Sequence, residues 1–466
     1  MSPAPPSSSP PARQEPLRGG GEMGALMRAH DWSRTPVGPV DTWPQSLRTV
    51  LSLLLSSRHP ILLFWGPELV QFYNDSYRPI LGATKHPQAL GQRGRACWAE
   101  AWDVLGPQVS AVMERGESLF VEDGLLCLER NGYLEETYFT YAYSPIQDES
   151  GGIGGLFNAC TENTERVLSE RRLRTLHALS TAMGPLTSEE DVGRALASVL
   201  AAHAHDIPFA LLYVAEDSGA ARLVGAAGVV PGSTAAPSRL ERAPDTPWPW
   251  DAVSQDGQPR VVEPLPELPG GFPGGPWPEP AREALVLPLV DGEAARSPGF
   301  LVLGTSPRLR LDAAYQDFLR LAARQVATAH ARLCAEQAQR AAHRQLADIL
   351  ESMGDAFMMV DAHWRITRIN SNHERMSGRR REDVLGRGLW ELWPPLLNHG
   401  IRTLLRLLRR EPLEHDLSHA AVGLSSLWFT LSWLVGGLAA WVMARNVAPD
   451  DADASRLLLV AVSGYL

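Results

Sequence analysis

The sequence predicts an α+β protein of several domains, in which antiparallel sheets flanked by helices are joined by long amphipathic linker helices. Three observations support this fold class. The chain has 466 residues, too many for one hydrophobic core and enough for roughly three domains of about 150 residues. Strand-like runs occur in groups separated by short turns rich in glycine. Two charged stretches, 164–184 and 312–353, keep apolar residues at helical spacing.

Composition and charge narrow the classes of function. With 44% apolar and 21% charged residues, the chain is typical of a folded protein. Its formal net charge of −10 offers no positive field for nucleic-acid phosphates, so no nucleic-acid partner is expected. The cysteines form no CxxC pair, which argues against a metal site and for a reducing, cytoplasmic compartment; they are Cys97, Cys127, Cys160 and Cys334.

The segment 1–20 is predicted to be a disordered tail rich in Pro and Ser, because it lacks the apolar run of a secretory signal. Residues 21–165 are predicted to form a first domain with an N-terminal extension. Two short strands begin at Ile61, helical segments follow, and three long strand-like runs then occupy 118–128, 134–146 and 153–161. Asn131-Gly132 suits the tight turn between the first two of these runs. The predicted order is two strands, several helices and three antiparallel strands.

Four motifs of this first domain resemble a PAS domain when taken in order. They are GEMGALMRAHDWSRTPVGPVDTWPQSLRT from Gly21, WGPELVQFYNDSYRPILG from Trp65, RNGYLEETYFTYAYSPI from Arg130 and CTENTERV from Cys160. The resemblance covers about residues 45–165 and is closest to the leading PAS domain of bacterial sensor histidine kinases. It implies a half-barrel that holds many kinds of ligand or none, so the fold alone does not name a ligand.

The stretch 164–184 is predicted to be a linker helix with an apolar stripe, formed by Leu168, Leu173, Leu176, Leu179 and Met183. This stripe either meets the same helix of a second subunit or packs as the first helix of the next domain. Both interpretations can hold if one continuous helix pairs with a second subunit and also begins the next domain.

Residues 185–335 resemble a GAF domain, chiefly through ALVLPLV from Ala284, GFLVLG from Gly299 and the helices at either end. A Pro-rich insertion at 231–280 is too long for an ordinary connection, which predicts a pocket lid or a partly disordered segment. Its three tryptophans, Trp248, Trp250 and Trp277, either cap a pocket or pack on the surface of a loop.

A second linker helix is predicted at 312–353, and a second PAS-like domain at 354–449. The string GDAFMMVDAHWRITRINSNHERMSGRRREDVLGRGLWELWP, from Gly354, resembles the first half of a PAS domain. Within it five residues stand at the spacing of that family, namely Asp361, Asn370, Gly378, Leu385 and Gly386. The final residues, 450–466, are predicted to begin a further signalling helix.

The uncharged segment 420–444 is long enough to span a bilayer, yet it also suits the last two strands of the second PAS-like domain. Gly436-Gly437 stands at hairpin spacing between two apolar runs, which favours the hairpin. A membrane partner is therefore not expected, although a sensor anchored in the inner membrane through 420–444 stays an alternative.

The sequence predicts no catalytic or metal-binding residues. A phosphoacceptor histidine would need a particular acidic context and an ATP-binding domain after it. The only similar string, His415-Asp416-Leu417-Ser418, has the acidic residue but lacks the Pro that should follow, and the 51 residues after the histidine are too few for such a domain. The sequence also contains no Walker-type, HExxH or GxSxG motif. We therefore expect a protein that is not an enzyme, with descent from a histidine kinase as the alternative.

Four residues are candidates for lining a pocket: Trp65, Tyr73, Asn74 and Asn370. Each asparagine follows a second strand and precedes a helix, where an N-cap explains it better than a ligand contact does. The two aromatic residues are expected in a core rather than on a ligand shelf. The cofactor is left unidentified, and the chain need not bind one.

These inferences predict a sensory input protein that couples a small-molecule or redox signal in PAS or GAF pockets to linker helices of a homodimer. A histidine kinase or a response regulator is the expected downstream partner. The alternative is a truncated or split sensor histidine kinase of a two-component phosphorelay.

Overall fold

The computed structural model describes residues 17, 19–184, 186–243, 246–289, 298–361, 363, 365–392 and 458–462. The chain divides into two compact units, Met1–Leu333 and Cys334–Leu466. Most of the tail predicted at 1–20 lies outside the described residues. Leu17 is described, and it is buried in the same core as Met23 and Met27. Its carbonyl also accepts a hydrogen bond from Arg28. For Leu17 the prediction of a disordered tail is therefore wrong.

The first module, residues 21–165, has the predicted order of elements. Its helices are α1 (Gly21–Ala29), α2 (Gln45–Ser56), α3 (Arg78–Lys85), α4 (Gly94–Cys97) and α5 (Trp102–Arg115). Its strands are β1 (Ile61–Trp65), β2 (Val70–Tyr73), β3 (Leu119–Glu129), β4 (Leu134–Gln147) and β5 (Ile153–Glu162). They form one antiparallel sheet in the order β2-β1-β5-β4-β3. Two strands, several helices and three strands were predicted, and this is confirmed.

Helix α6 (Thr164–Ala182) follows β5 directly. Leu168, Leu179 and Met183 of its predicted stripe are buried in this chain, whereas Leu173 is 65% exposed. Leu179 and Met183 belong to the core of the next domain. Most of the stripe therefore packs within the chain, as the interpretation of α6 as the first helix of the next domain requires.

The next domain contains a six-stranded antiparallel sheet between two apolar cores. Its elements are α7 (Glu189–Ala202), β6 (Ala210–Ala215), β7 (Ala221–Ala227), β8 (Arg239–Leu240), α8 (Trp250–Asp256), β9 (Arg260–Val262), β10 (Ala284–Pro288) and β11 (Gly299–Gly304). The strand order is β8-β7-β6-β11-β10-β9. Helix α7 approaches β7 so closely that a Cβ atom at Gly193 would lie 2.0 Å from the Val224 carbonyl oxygen. Only glycine fits at that contact.

Helix α9 (Ala313–Ser352) confirms the second predicted linker helix. Its first half, through Leu333, is buried in the core formed with α6 and α7. Near its end the apolar side chains of Leu346 and Ile349 are each 52% exposed.

The second unit begins the fold predicted for a second PAS-like domain. After α9 come β12 (Ala356–Val360), β13 (Ile366–Ile369), α10 (Ser371–Ser377), α11 (Arg381–Val384) and α12 (Leu389–Leu392), and later β14 (Leu458–Val462). The sheet order is β13-β12-β14, with both pairs antiparallel.

Strand β14 corrects the prediction of a helix at 450–466, which is wrong for Leu458–Val462. These residues pair with Ala356–Val360 along their whole length, so their backbone groups complete a sheet ladder. The hairpin predicted within 420–444 lies outside the described residues, as does the membrane alternative for the same segment. Of the helices that the structure describes, none has both the length and the apolar character to cross a bilayer.

Candidate functional site

The first module encloses a cavity between one face of its sheet and its helices. Strand β4 supplies Phe139, Tyr141 and Tyr143, because alternate residues of a strand point to the same face. The remaining lining residues come from β1, α3, α5, β3, β5 and the segments around them: Leu62, Phe64, Tyr77, Ile80, Trp98, Leu105, Leu126, Leu128, Asn158 and Cys160. The cavity measures about 30 Å³.

Asn158 is the one amide side chain in this lining. It lies in the middle of β5, opposite Leu62 of β1 and Tyr143 of β4, and is 5% exposed. Its Oδ1 atom is buried and has no hydrogen-bond partner among the described residues. Leaving a buried acceptor unsatisfied costs about 1–3 kcal/mol, so such an atom calls for an explanation. A hydrogen-bond donor inside the cavity would supply one.

The titratable groups of the lining are held in their neutral forms. Burial raises the pKa of Tyr77 well above its ordinary range, and it also raises the pKa of Tyr143. Burial likewise raises the pKa of the Cys160 thiol to about 12. The cavity therefore presents apolar surface and neutral polar groups, and a charged ligand would lose its hydration there without gaining a counter-charge.

The two predicted asparagines cap the turns that follow β2 and β13. Asn74 Oδ1 accepts from the backbone N–H of Ile61 and of Tyr77, each at 3.1 Å, and its Nδ2 donates to two carbonyls of the segment before β1. Asn370 Oδ1 accepts from the N–H of Phe357 at 2.8 Å and of His373 at 2.9 Å, and its Nδ2 also donates to two carbonyls. An amide offers two donor hydrogens and two acceptor sites. Both side chains are therefore fully used by the fold.

The two predicted aromatic residues also lie away from the cavity lining. Trp65 packs against β5 near Gly154 and Gly155. Tyr73 is fully buried, and its hydroxyl lies 3.0 Å from Nδ1 of His86. The structure thus places Trp65, Tyr73 and Asn74 in one module without bringing them together as a site, and Asn370 lies in the other unit.

Sequence reasoning missed the residues that do surround the cavity. The alternation of aromatic residues at 139, 141 and 143 was available as a signal for one buried face of β4. Asn158 stands in the middle of β5 among apolar or small residues, and a polar residue in such a place was a signal for a buried polar contact. Neither pattern shows that a cavity, rather than a filled core, covers that face.

In the Pro-rich insertion of the next domain, Trp248 and Trp250 belong to an apolar core, whereas Trp277 lines an open depression formed mainly by residues 268–280. Trp248 and Trp250 are 0% and 1% exposed, and they cover the sheet face that carries Phe209 and Phe300. The indole N–H of Trp248 donates to the Ala235 carbonyl at 2.8 Å, and the Trp250 ring stacks on Phe300 at 5.0 Å. Because Trp248 and Trp250 are buried in this core, the prediction that they pack on the surface of a loop is wrong.

Comparisons with known proteins identify two domains. A family model described as a GAF domain matches residues 187–330, and one described as a PAS fold matches residues 350–461. The chain therefore contains a GAF domain and a PAS domain, each with an antiparallel sheet and helices. No curated protein matches the chain.

Several solved structures are similar to parts of the chain. The GAF domain of a phosphoenolpyruvate-protein phosphotransferase from Acinetobacter is 17% identical, covering 35% of this chain and 95% of its own, with a TM-score of 0.27. The photosensory core module of a Stigmatella aurantiaca phytochrome is 12% identical. The match covers 69% of this chain and 71% of that structure, with a TM-score of 0.29. The GAF domain of the Escherichia coli potassium sensor histidine kinase KdpD is 22% identical. The match covers 35% of this chain and 96% of that domain, with a TM-score of 0.23.

Proposed function

We propose that this chain, with its GAF and PAS domains, is a signal-input protein whose first module binds a small uncharged molecule beside Asn158. The observation that carries the proposal is the buried Oδ1 atom of Asn158, which has no hydrogen-bond partner within the part of the chain that the structure describes and faces an otherwise largely apolar cavity. A ligand with an N–H or O–H group would satisfy this acceptor. The sensory role then follows from a cavity of this kind in a chain of linked PAS and GAF domains.

The cavity also sets the size of the ligand. One water molecule needs about 10–15 Å³ of such space, and an engineered cavity of about 150 Å³ binds benzene. The cavity of about 30 Å³ therefore suits a molecule of a few heavy atoms. A larger ligand would have to displace the walls, which are close-packed and respond by shifting between discrete arrangements.

Helices α6 and α9 are the elements that would carry such a shift onward. Helix α6 begins where β5 of the cavity sheet ends, and α9 leads from the GAF domain toward the PAS domain. The exposed Leu173 on α6 and the exposed Leu346 and Ile349 on α9 support a homodimer formed through these helices. Light scattering at micromolar concentration tests the dimer, and a monomer would refute it.

A histidine kinase or a response regulator is the downstream partner in this proposal, and the chain itself supplies input without a catalytic core. Its support is the resemblance of the first module to the input regions of sensor histidine kinases. Incubation with labelled ATP tests whether the chain phosphorylates itself. Phosphohistidine on this chain would contradict the proposal and make the chain a kinase.

The substitution Asn158→Leu tests the observation on which the proposed function depends. We expect the free energy of unfolding of the first module to rise by about 1 kcal/mol, because the change removes an unsatisfied buried acceptor and directs methyl groups into the cavity. Denaturant unfolding measures this. Thr161→Leu is the matched control, since Thr161 is exposed on the same strand. A loss of more than about 1 kcal/mol in Asn158→Leu would show that the fold itself needs this amide, and the proposal would lose its support.

A further inference from the structure

Arg171 of helix α6 joins two buried carboxylates that belong to different domains. Its Nε and Nη2 atoms lie 2.7 and 3.1 Å from the carboxylate oxygens of Asp206, in the segment before β6. Its Nη1 and Nη2 atoms lie 2.5 and 3.3 Å from the carboxylate oxygens of Glu136, on β4 of the first module. The side chains of Glu136 and Asp206 are 0% and 1% exposed. One guanidinium therefore binds both domains of the first unit.

The contacts of Asp206 extend to the first turn of helix α9. The Tyr315 hydroxyl donates to the backbone carbonyl of Asp206 and accepts from the N–H of Ser306 at 3.0 Å. Arg172 binds the Asp206 carboxylate through Nε at 3.3 Å, and its guanidinium lies 4.4 Å from the centre of the Tyr315 ring. Asp206 is thus fixed both to α6 and to the start of the long helix.

The contacts of Glu136 extend in the opposite direction, to the cavity. Strand β4 carries Glu136 and Tyr138 on the face toward the GAF domain, and the Tyr138 hydroxyl donates to the Glu136 carboxylate at 2.8 Å. The same strand carries Phe139 and Tyr141 on its cavity face. A displacement of β4 caused by a change in the cavity therefore displaces Glu136 as well.

The ion pairs of Arg171 with Glu136 and Asp206 oppose the separation of strand β4 from helix α6. Glu136 forms its described ion pairs with Arg171 alone, whereas Asp206 has both Arg171 and Arg172. Removing the cation from a buried carboxylate is strongly unfavourable, so β4 cannot move away from Arg171 without stranding a charge. The favourable response is for α6 to move with the strand, and closely packed elements change between discrete arrangements rather than stretching.

We infer that Arg171 is the positioning residue that couples the first module to the GAF domain and to the start of α9. A displacement of β4 passes through Glu136 to Arg171, and from Arg171 to Asp206 and Tyr315. The inference rests on the proposed function for the natural origin of the displacement. Its test replaces the ligand by a substitution in the cavity, so that a chain that binds no ligand can still show the coupling.

The experiment measures amide hydrogen exchange by mass spectrometry in the full chain. Phe139→Ala perturbs the cavity from β4, and the readout is exchange in peptides covering 206–215 and 313–323. We expect Phe139→Ala to accelerate exchange in these peptides about tenfold in the parent chain, and less than about twofold when Arg171→Met is also present. The quantity compared is the exchange rate with Phe139→Ala divided by the rate without it, with and without Arg171→Met. If Arg171 had only a structural role, Arg171→Met would change the absolute exchange rates but not this ratio.

Arg174→Met is the matched control, since Arg174 lies on the same helix and its side chain is 71% exposed. With this control the tenfold response should persist. If Phe139→Ala prevents folding, Phe139→Leu provides a smaller perturbation of the same wall. A response of equal size in the presence of Arg171→Met would overturn the inference. So would cavity variants that leave both peptides unchanged in the parent chain.

Discussion

Truncation of Trp248 to alanine is expected to lower the free energy of unfolding of the GAF domain by about 3–5 kcal/mol, the usual cost of removing a fully buried aromatic side chain. The Trp248 indole is 0% exposed. It also contacts the rings of Phe209 and Phe272 and donates to the Ala235 carbonyl. The substitution therefore leaves a large cavity and one buried carbonyl without its donor. Calorimetry of the full chain would show a lower midpoint for the transition that contains the GAF domain.

Trp277→Ala provides the control for this effect, because Trp277 lies on the same insertion but is only partly buried. Its ring lies 4.3 Å from the Arg308 guanidinium, a contact whose loss should cost about 0.5–1 kcal/mol. Added indole should partly restore the Trp248→Ala protein by occupying the cavity. If both substitutions cost the same small amount, the insertion is a loosely packed lid and not a core.

The second large effect is expected for Asn74→Ala. The substitution removes a cap worth about 0.5–2 kcal/mol and leaves the buried N–H of Ile61 unsatisfied, at a further cost of about 1–3 kcal/mol. We therefore expect the first module to lose roughly 2–4 kcal/mol of stability in denaturant unfolding. Asn370→Ala should act alike on the second unit, since its four hydrogen bonds have the same arrangement.

Asn74→Asp tests the donor half of this side chain. An aspartate keeps the acceptor for Ile61 and Tyr77 but replaces the two donated hydrogen bonds by a carboxylate oxygen that faces two carbonyl oxygens. Because this charge would be buried without a cation, Asn74→Asp should destabilise the module at least as much as alanine does. An Asn74→Ala protein with unchanged stability would contradict the assignment of Asn74 as a cap, and would return it to the candidates for ligand contact.

Local patterns were sufficient to predict the strands of the first module and both long helices. The runs that became β3, β4 and β5 are rich in aliphatic or aromatic residues and are separated by turn residues, and these features are properties of neighbouring residues. The two asparagine caps were recognisable for the same reason, because a cap acts within a few residues of its own position.

The failures involve partners that are distant in the sequence. The run at 458–462 is apolar and suits a helix or a strand, and only its pairing with Ala356–Val360, about a hundred residues earlier, makes it β14. Trp248 and Trp250 stand among prolines that indicate a loop, and their burial depends on the sheet face that they cover. The stripe of α6 looked free for a second subunit because the helices that cover it lie later in the chain.

The candidate site was harder to predict than the fold because a cavity is defined by the space that side chains leave. Asn74 and Asn370 have the residue type of a ligand contact, yet the fold uses all of their hydrogen-bonding groups. Asn158 differs in that its Oδ1 atom has no partner among the residues that the structure describes, and recognising this requires the positions of β1, β4 and the helices above the sheet.

The most direct test of the proposed cavity is ligand-observed saturation-transfer NMR on the full chain, with formamide and formate as probes. Both have three heavy atoms, but only formamide is uncharged and has N–H donors. A ligand of this size gains at most about 1.5 kcal/mol per heavy atom, so the expected dissociation constant is about millimolar or weaker. The account predicts saturation transfer to formamide in the parent chain, a several-fold smaller transfer in Asn158→Leu, and none above background to formate. Equal transfer to formamide in the parent and in Asn158→Leu, or transfer to formate as strong as to formamide, would contradict it.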